Sequence, residues 1–296
     1  MKTYLECIPC FLTQALDASV LAGVGTKKQK EIIDEVSKLI PEFSLTDSPP
    51  KMVRTIHQLV RRMLDVKDPY IKLKKNSNLM ALKTYSQLKN RIEDSEDSLL
   101  SAVQLSIIGN IIDYGAKNYF NVEKEIDQLF QGNLSVKYEH NPHIFKYDLF
   151  KDALNKVEHI VFLADNAGEV LFDRFLIEEL VLKHNKKVTY VVKDQPIIND
   201  ALIEDAIICG IDNYAKIITN GTDAPGTLLN YCSEEFLRLY RDAKLIISKG
   251  QGNYESLSEE KRPIFFLFKA KCPVIARDIG CDIGELVLNC SSDNYD

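Results

Sequence analysis

The spacing of apolar residues changes partway along the chain. Up to about residue 135 they recur at helical intervals. Val53, Ile56, Leu59, Val60, Met63 and Leu64 follow Ser48-Pro49-Pro50, so prolines open a helix whose stripe supplies a buried face. A second stripe runs through Leu99, Leu100, Val103, Ile107, Ile108 and Ile111, and nothing before residue 135 reads as a strand. After Pro142 short apolar runs alternate with amphipathic stretches such as Val170–Lys183 and Thr227–Ala243. The strand candidates are His159–Ala164, Lys187–Val192, Ala215–Thr219, Lys244–Ser248, Pro263–Phe268 and Pro273–Ala276. Each has the length and β-branched or aromatic content of a strand buried on both faces. The expected fold is α/β: a three-layer α/β/α Rossmann-like domain with a mainly parallel sheet over residues 141–296, behind an all-α N-terminal domain over residues 1–140.

Composition narrows the function classes. The 296 residues are 45% hydrophobic and 27% charged, which fits a soluble globular protein of one large or two medium domains. With 37 basic and 43 acidic residues the net charge is −6, which argues against non-specific nucleic-acid or anionic-membrane binding. A local basic pocket for phosphate remains compatible with it. No apolar run reaches the roughly 18 residues of a spanning helix, and Glu6 sits where a signal peptide would be apolar. Seven cysteines, dispersed apart from Cys7 and Cys10, fit reduced thiols, so a cytoplasmic location is expected.

In a parallel α/β sheet ligands sit beyond the carboxyl ends of the strands. Asp165-Asn166-Ala167-Gly168-Glu169 follows the first strand, and Lys193, Asp194, Asn199 and Asp200 follow the second. Gly221-Thr222-Asp223-Ala224-Pro225-Gly226-Thr227 follows the third, Lys249-Gly250-Gln251-Gly252-Asn253-Tyr254-Glu255 the fourth, and Lys269 the fifth. Asp165, Asn166 and Asp200 are hard oxygen donors suited to one Mg²⁺ or Mn²⁺ ion. Taken singly, Asp165 and Asp200 could equally cap helices. Lys193, Lys249 and Lys269 stand where a phosphoryl group would project, and Gly221, Gly226, Gly250 and Gly252 admit backbone N–H groups close to an anion. The dinucleotide fingerprint fails, because Glu255 holds the third glycine place, and no P-loop or nucleophile elbow is present. Ala167 stands where an aspartyl-phosphate enzyme would carry its second Asp. Metal-activated water is the chemistry left.

These motifs together resemble the damage-control metal-dependent phosphatases, the family of domain-of-unknown-function 89. The resemblance rests on DNAGE at 165–169, the ND pair at 199–200, GTDAPGT at 221–227, KGQGNYE at 249–255 and the segment Lys269-Ala270-Lys271. Upstream, ECIPC at 6–10, DPY at 68–70, Lys74, Asn78 and GNIID at 109–113 also match, as in the microbial branch with an N-terminal CxxC. The resemblance implies a divalent ion (Mn, Co, Ni or Mg) held by Asp165, Asn166 and Asp200, and hydrolysis of phosphate monoesters of small metabolites, sugar phosphates among them. By position, Glu169, Asn253 and Lys269 resemble substrate-contacting residues, and Lys193, Gly221, Thr222 and Lys249 are expected to assist them. Asp194 could replace Asp200 as ligand if the loop register differs, and either Asp200 or Glu169 could take the proton from water. Two other readings are a non-catalytic module that binds a phosphometabolite or nucleotide, and, ranked last, a carboxyl methyltransferase. Cys7 and Cys10 could form a redox pair or half a metal site, with a structural or packing role favoured, and Asn110 and Asp113 read as either cleft-facing or buried between helices.

Overall fold

The computed structural model describes residues 1–109, 127 and 141–292. Helices α1 (Cys7–Leu21), α2 (Thr26–Leu39), α3 (Pro49–Leu64), α4 (Ile71–Glu93) and α5 (Ser98–Ile108) come first. The expected proline start of α3 is present: Pro49 and Pro50 occupy its first turn, where a missing N–H costs nothing. The alternating part runs α6 (Tyr147–Asn155), β1 (His159–Leu163), α7 (Val170–Leu182), β2 (Lys187–Val192), α8 (Ile203–Ile208) and β3 (Lys216–Thr219). It continues with α9 (Glu234–Asp242), β4 (Ile246–Lys249), α10 (Gln251–Leu257), β5 (Ile264–Lys269), α11 (Pro273–Ile279) and β6 (Leu286–Cys290). The strands form one sheet in the order β3-β2-β1-β4-β5-β6, parallel except for β6, which runs antiparallel to β5.

Alternation along the strands sorts side chains into two apolar layers, as period-two geometry requires. Ile160, Phe162, Ile247, Phe265 and Leu267 join one core with residues of α4, α5, α6 and α7. Val161, Leu163, Ile246, Phe266 and Phe268 join the other, with α9, α10 and α11. A third core lies within α1, α2 and α3, around Phe11, Ile32, Val36, Met52, Ile56 and Val60. The leading helices therefore divide: α5 packs on the sheet and α4 joins the same core through α5, α7 and α8, whereas α1–α3 pack mainly on one another. The expected boundary near residue 140, and Asn110 and Asp113, lie outside the described residues or at their edge.

Two segments differ from the sequence expectation. Pro273–Ala276 is not a strand but the start of α11, and the sixth strand is β6. Pro273 takes the first helical turn, and Gly280 ends the helix in the left-handed region at φ 81°, so the run is punctuated as a helix at both ends. The helix expected over 227–243 begins only at Glu234, where the Ser233 side chain accepts from the Phe236 amide at 3.2 Å.

Candidate active site

Strand order reverses between β1 and β4, and the segments after these two strands open a crevice at that point. The chain after β2 doubles back to line it. Lys193 N donates to Ala201 O at 3.0 Å, Ala201 N to Asp165 O at 2.8 Å and Ala167 N to Asn199 O at 2.9 Å. Asn166 and Asp200 thereby form an antiparallel bridge. Residues so opposed present side chains on one side, with Cβ atoms about 5 Å apart. Ile198 makes the reversal at φ 44°, a conformation β-branched residues rarely adopt.

A cavity of about 170 Å³ collects the donors. Asp165, Asn166, Asn199 and Asp200 line one part, Pro225, Gly226, Gln251, Gly252, Glu255 and Lys271 another, and Gln14, Pro50, Val53 and Ile198 complete it. The Asn166 amide donates to Asp165 Oδ2 at 2.9 Å and to Glu169 Oε1 at 2.7 Å, which leaves its carbonyl oxygen available as a ligand. Asn78 fixes the turn from α4, accepting from Gly168 N at 2.6 Å and donating to Asp205 at 2.7 Å. At Gly250, φ is 81° and a Cβ would run into the Asp165 carboxylate, so this glycine lets β4 pass directly beneath the acid.

The charged groups divide between wall and foundation. Lys193 lies 3.5 Å from Asp200 and donates to the Gly226 carbonyl. Lys249 is fully buried and binds Asp173 Oδ1 at 2.7 Å, Ser106 O at 2.7 Å and Glu169 Oε2 at 3.4 Å. Burial opposes its charge, but Asp173 and Glu169 outweigh that and raise its pKa. Burial, then the neighbouring Asp165, push Glu169 up to about 8 against the pull of Lys249 and Lys271. Glu255, in the cavity wall, is pushed by burial to about 7, opposed by the Met1 amino group.

Asp165, Asn166 and Asp200 are thus brought together, while Asp194 is exposed and bound by Thr219 at 3.0 Å and Gln195 at 2.9 Å. The other expected residues are placed differently. Glu169, Lys249 and Asn253 lie under the site; Asn253 donates to Ala164 O at 3.0 Å and Lys249 O at 2.7 Å and accepts from Thr227 at 2.7 Å. Thr222 is buried in its own turn, accepting from Ala224 N at 3.1 Å. Gly221 lines a separate cavity of about 610 Å³ beside Arg61, Arg62 and Lys67, and Lys269 lines neither. Asp223 accepts from Arg54 at 2.5 Å, Gln58 at 2.8 Å and Arg61 at 3.2 Å, so α3 grips the GTDAPGT loop. Those donors hold Asp223 below its ordinary pKa despite its burial.

Reading the sequence alone missed Gln14, Glu255 and Lys271 as wall residues. Glu255 follows Gln251 by one helical turn, a spacing that marks a shared face; Gln14 carries no comparable signal. Among the described residues no three His, Cys, Asp or Glu side chains form a ready metal cluster. The donor set is two carboxylates and an amide, with the amide's hydrogens already engaged. Such a set fits a hard divalent ion that keeps several waters.

A doubly wound α/β sheet carrying an acidic, amide-bearing cavity at its switch point is the class that the fold and site define. The description "damage-control phosphatase ARMT1-like domain" matches residues 3–287, and the chain belongs to that family. It is 34% identical to a damage-control phosphatase of Archaeoglobus fulgidus, over 97% of this chain and 98% of that protein. It is 33% identical to one of Pyrococcus horikoshii, over 97% of each. A Methanocaldococcus jannaschii protein named only as uncharacterised is 37% identical over 97% of this chain and 95% of its own. A crystal structure of a family-89 protein from Pyrococcus horikoshii superposes with a TM-score of 0.87 at 31% identity, covering 99% of this chain and 100% of that one. The relatives' names give the family a phosphatase role. Among the described residues no helix is long and apolar enough to cross a membrane.

Proposed function

We propose that this chain is a metal-dependent hydrolase of phosphate monoesters of small metabolites, sugar phosphates among them. The observation that carries this reading is the Asn166–Asp200 bridge, which sets two carboxylates and an amide on one cavity wall. A divalent ion held by Asp165, Asn166 and Asp200 would polarise the phosphate and lower the pKa of water. The protein's own groups do the rest. Lys271, in the same cavity, offsets charge on the phosphoryl oxygens. Lys193 braces Asp200 and the Gly226 carbonyl, and Glu169 holds the Asn166 amide. Glu255 is the wall carboxylate whose pKa suits proton transfer near neutrality, so it joins Asp200 as a candidate base. Gln14, Asn199 and Gln251 supply polar contacts for the alcohol half.

The test is hydrolysis of an aryl phosphate by the purified chain with Mn²⁺, Co²⁺, Ni²⁺ or Mg²⁺. Turnover should stop with chelator and fall at least about 100-fold in Asp165→Ala, whose circular dichroism should match wild type. Undiminished activity in that variant, or indifference to chelator, refutes the reading. A pure binding module would bind phosphate esters without turnover.

A further inference from the structure

The CxxC pair takes no part in the hydrolytic site, yet the structure gives it a setting that its spacing alone does not. Cys7 is the first residue of α1, so the pair opens a helix rather than lying within one. The backbone entering it is held by three-residue turns, Cys7 N to Tyr4 O at 3.0 Å and Ile8 N to Leu5 O at 3.1 Å. Residues three apart on a helix have Cα atoms about 5 Å apart, inside the disulfide range of roughly 4.4–6.8 Å. A helix start adjusts more readily than a helix interior, because its first N–H groups have no intrahelical partners to lose. Cys10 is exposed and Cys7 partly so.

A third thiol meets them from the far end of the sequence. Cys272 caps the start of α11, and it packs with Cys7 on the same apolar cluster. The Glu6–Arg277 ion pair at 2.7 Å, with Arg277 5.9 Å from the Tyr4 ring centre, clips α11 to the start of α1. Burial raises the pKa values of Cys7 and Cys10, and both lie within electrostatic reach of Cys272 and Glu255, which push in the same direction. The cluster borders the cavity: the Gln251 amide lies 3.9 Å from Cys272 Sγ, and Gln14, one turn past Cys10, is a wall residue.

We propose that Cys7, Cys10 and Cys272 form a thiol–disulfide exchange site beside the cavity, with Cys7–Cys10 the bond formed and a low-molecular-weight disulfide the oxidant. The Cys10 thiolate attacks one sulfur of the small disulfide, whose S–S bond breaks. The departing thiolate takes up the proton that Cys10 lost. Cys7 then attacks the Cys10 sulfur and expels the second small thiolate, which is protonated in turn. Two electrons pass from the protein thiols to the oxidant, and the products are one protein disulfide and two small thiols. Cys272 stands as the alternative attacking thiol when Cys7 is removed.

The experiment treats the full chain with oxidised glutathione under mildly alkaline conditions, then alkylates it and maps its peptides by mass. Wild type should lose two alkylatable thiols without keeping glutathione, and its Cys7–Cys10 peptide should be two hydrogens lighter. Cys272→Ser should keep that bond, Cys7→Ser should form Cys10–Cys272 instead, and the double variant should stop as a glutathione adduct on Cys10. A wild type that stays fully alkylatable, or that stops at the adduct, overturns the proposal, as does a Cys7→Ser variant that stops there. Buried Cys209 and Cys290 serve as internal controls that should stay reduced throughout. The readout is a thiol count, so it stands or falls independently of phosphatase activity.

Discussion

Replacing Lys249 by Met probes the foundation of the site. The ammonium is wholly buried and joins two buried carboxylates, Asp173 at 2.7 Å and Glu169 at 3.4 Å. Asp173 also accepts from Ser106 Oγ at 2.8 Å and Tyr190 Oη at 2.8 Å, so hydrogen bonds remain there but no cation does. Removing one partner of a buried ion pair costs about 3–5 kcal/mol. The pH dependence identifies Glu169's share. Burial and the neighbouring Asp165 already hold its folded pKa, about 8, well above the ordinary glutamate range, and loss of the lysine raises it further. A raised folded pKa gives stability that is complete below the unfolded value and lost as pH rises through the folded one. In alkaline solution, above that folded value, the wild-type lysine helps keep Glu169 ionised, and losing that help adds to the cost of the substitution. At about pH 5.5 Glu169 is protonated in both proteins and this share vanishes. Urea unfolding with chelator present, in acid and in base, measures the difference. A penalty under about 1 kcal/mol, or one larger in acid than in base, would refute the reasoning.

Gly250→Ala should lower metal affinity at least about 10-fold and cost on the order of 1–3 kcal/mol, since the new methyl meets the Asp165 carboxylate at a positive φ; calorimetric Mn²⁺ titration checks it. Glu255 in the metal-free protein should titrate near 7 by NMR of its carboxyl, and a midpoint near 4.5 would show that burial does not govern it. Glu255→Gln should lower kcat about 100-fold and remove the rise in rate as pH increases through that range. Asp223→Ala should destabilise the protein by about 2–4 kcal/mol, because Arg54, Gln58 and Arg61 lose a shared acceptor; a thermal melt unchanged from wild type would count against the α3 grip.

The sheet was legible because strands buried on both faces are mostly apolar, and β1, β2, β4 and β5 appear in the sequence as short, largely apolar runs in which Thr189 and Ser248 are rare polar positions. The error at Pro273–Ala276 has the same root. A four-residue apolar run carries no period, and only Pro273 and Gly280 mark it as a helix. Asp165 and Asn166 were legible because they closely follow β1, and Asp200 through the ND pair it forms with Asn199. Glu255 was not, since it lies a helical turn into α10, nor was Lys271, which stands two residues past the strand-ending Lys269 that drew the reading instead. Lys249 shows the opposite limit. A lysine ending a strand at a switch point suggests phosphate, but whether it faces the cavity or the layer beneath depends on Asp173, one turn beyond Glu169 on α7.

This distribution bears on how the leading helices serve the site. The Rossmann-like layers supply both carboxylates, the amide and their buried supports. They leave the cavity to be completed by Gln14 of α1 and by Pro50 and Val53 of α3. From Arg54, next to Val53, to Arg61 two turns on, the same helix fastens the loop after β3 through Asp223, and that loop carries Pro225 and Gly226 into the wall. One rigid helix thus bridges a wall of the cavity and an anchor of its floor. A displacement of α3 would change the space for the alcohol half and the setting of Gly226 together, and through the Arg61 donor to the Pro196 carbonyl it would also reach the loop after β2 that carries Asp200. Substitutions at Arg54 or Gln58, which leave the Arg61–Pro196 contact intact, should therefore alter KM among phosphate esters more than they alter metal affinity, whereas substitutions around Asn166 should do the reverse.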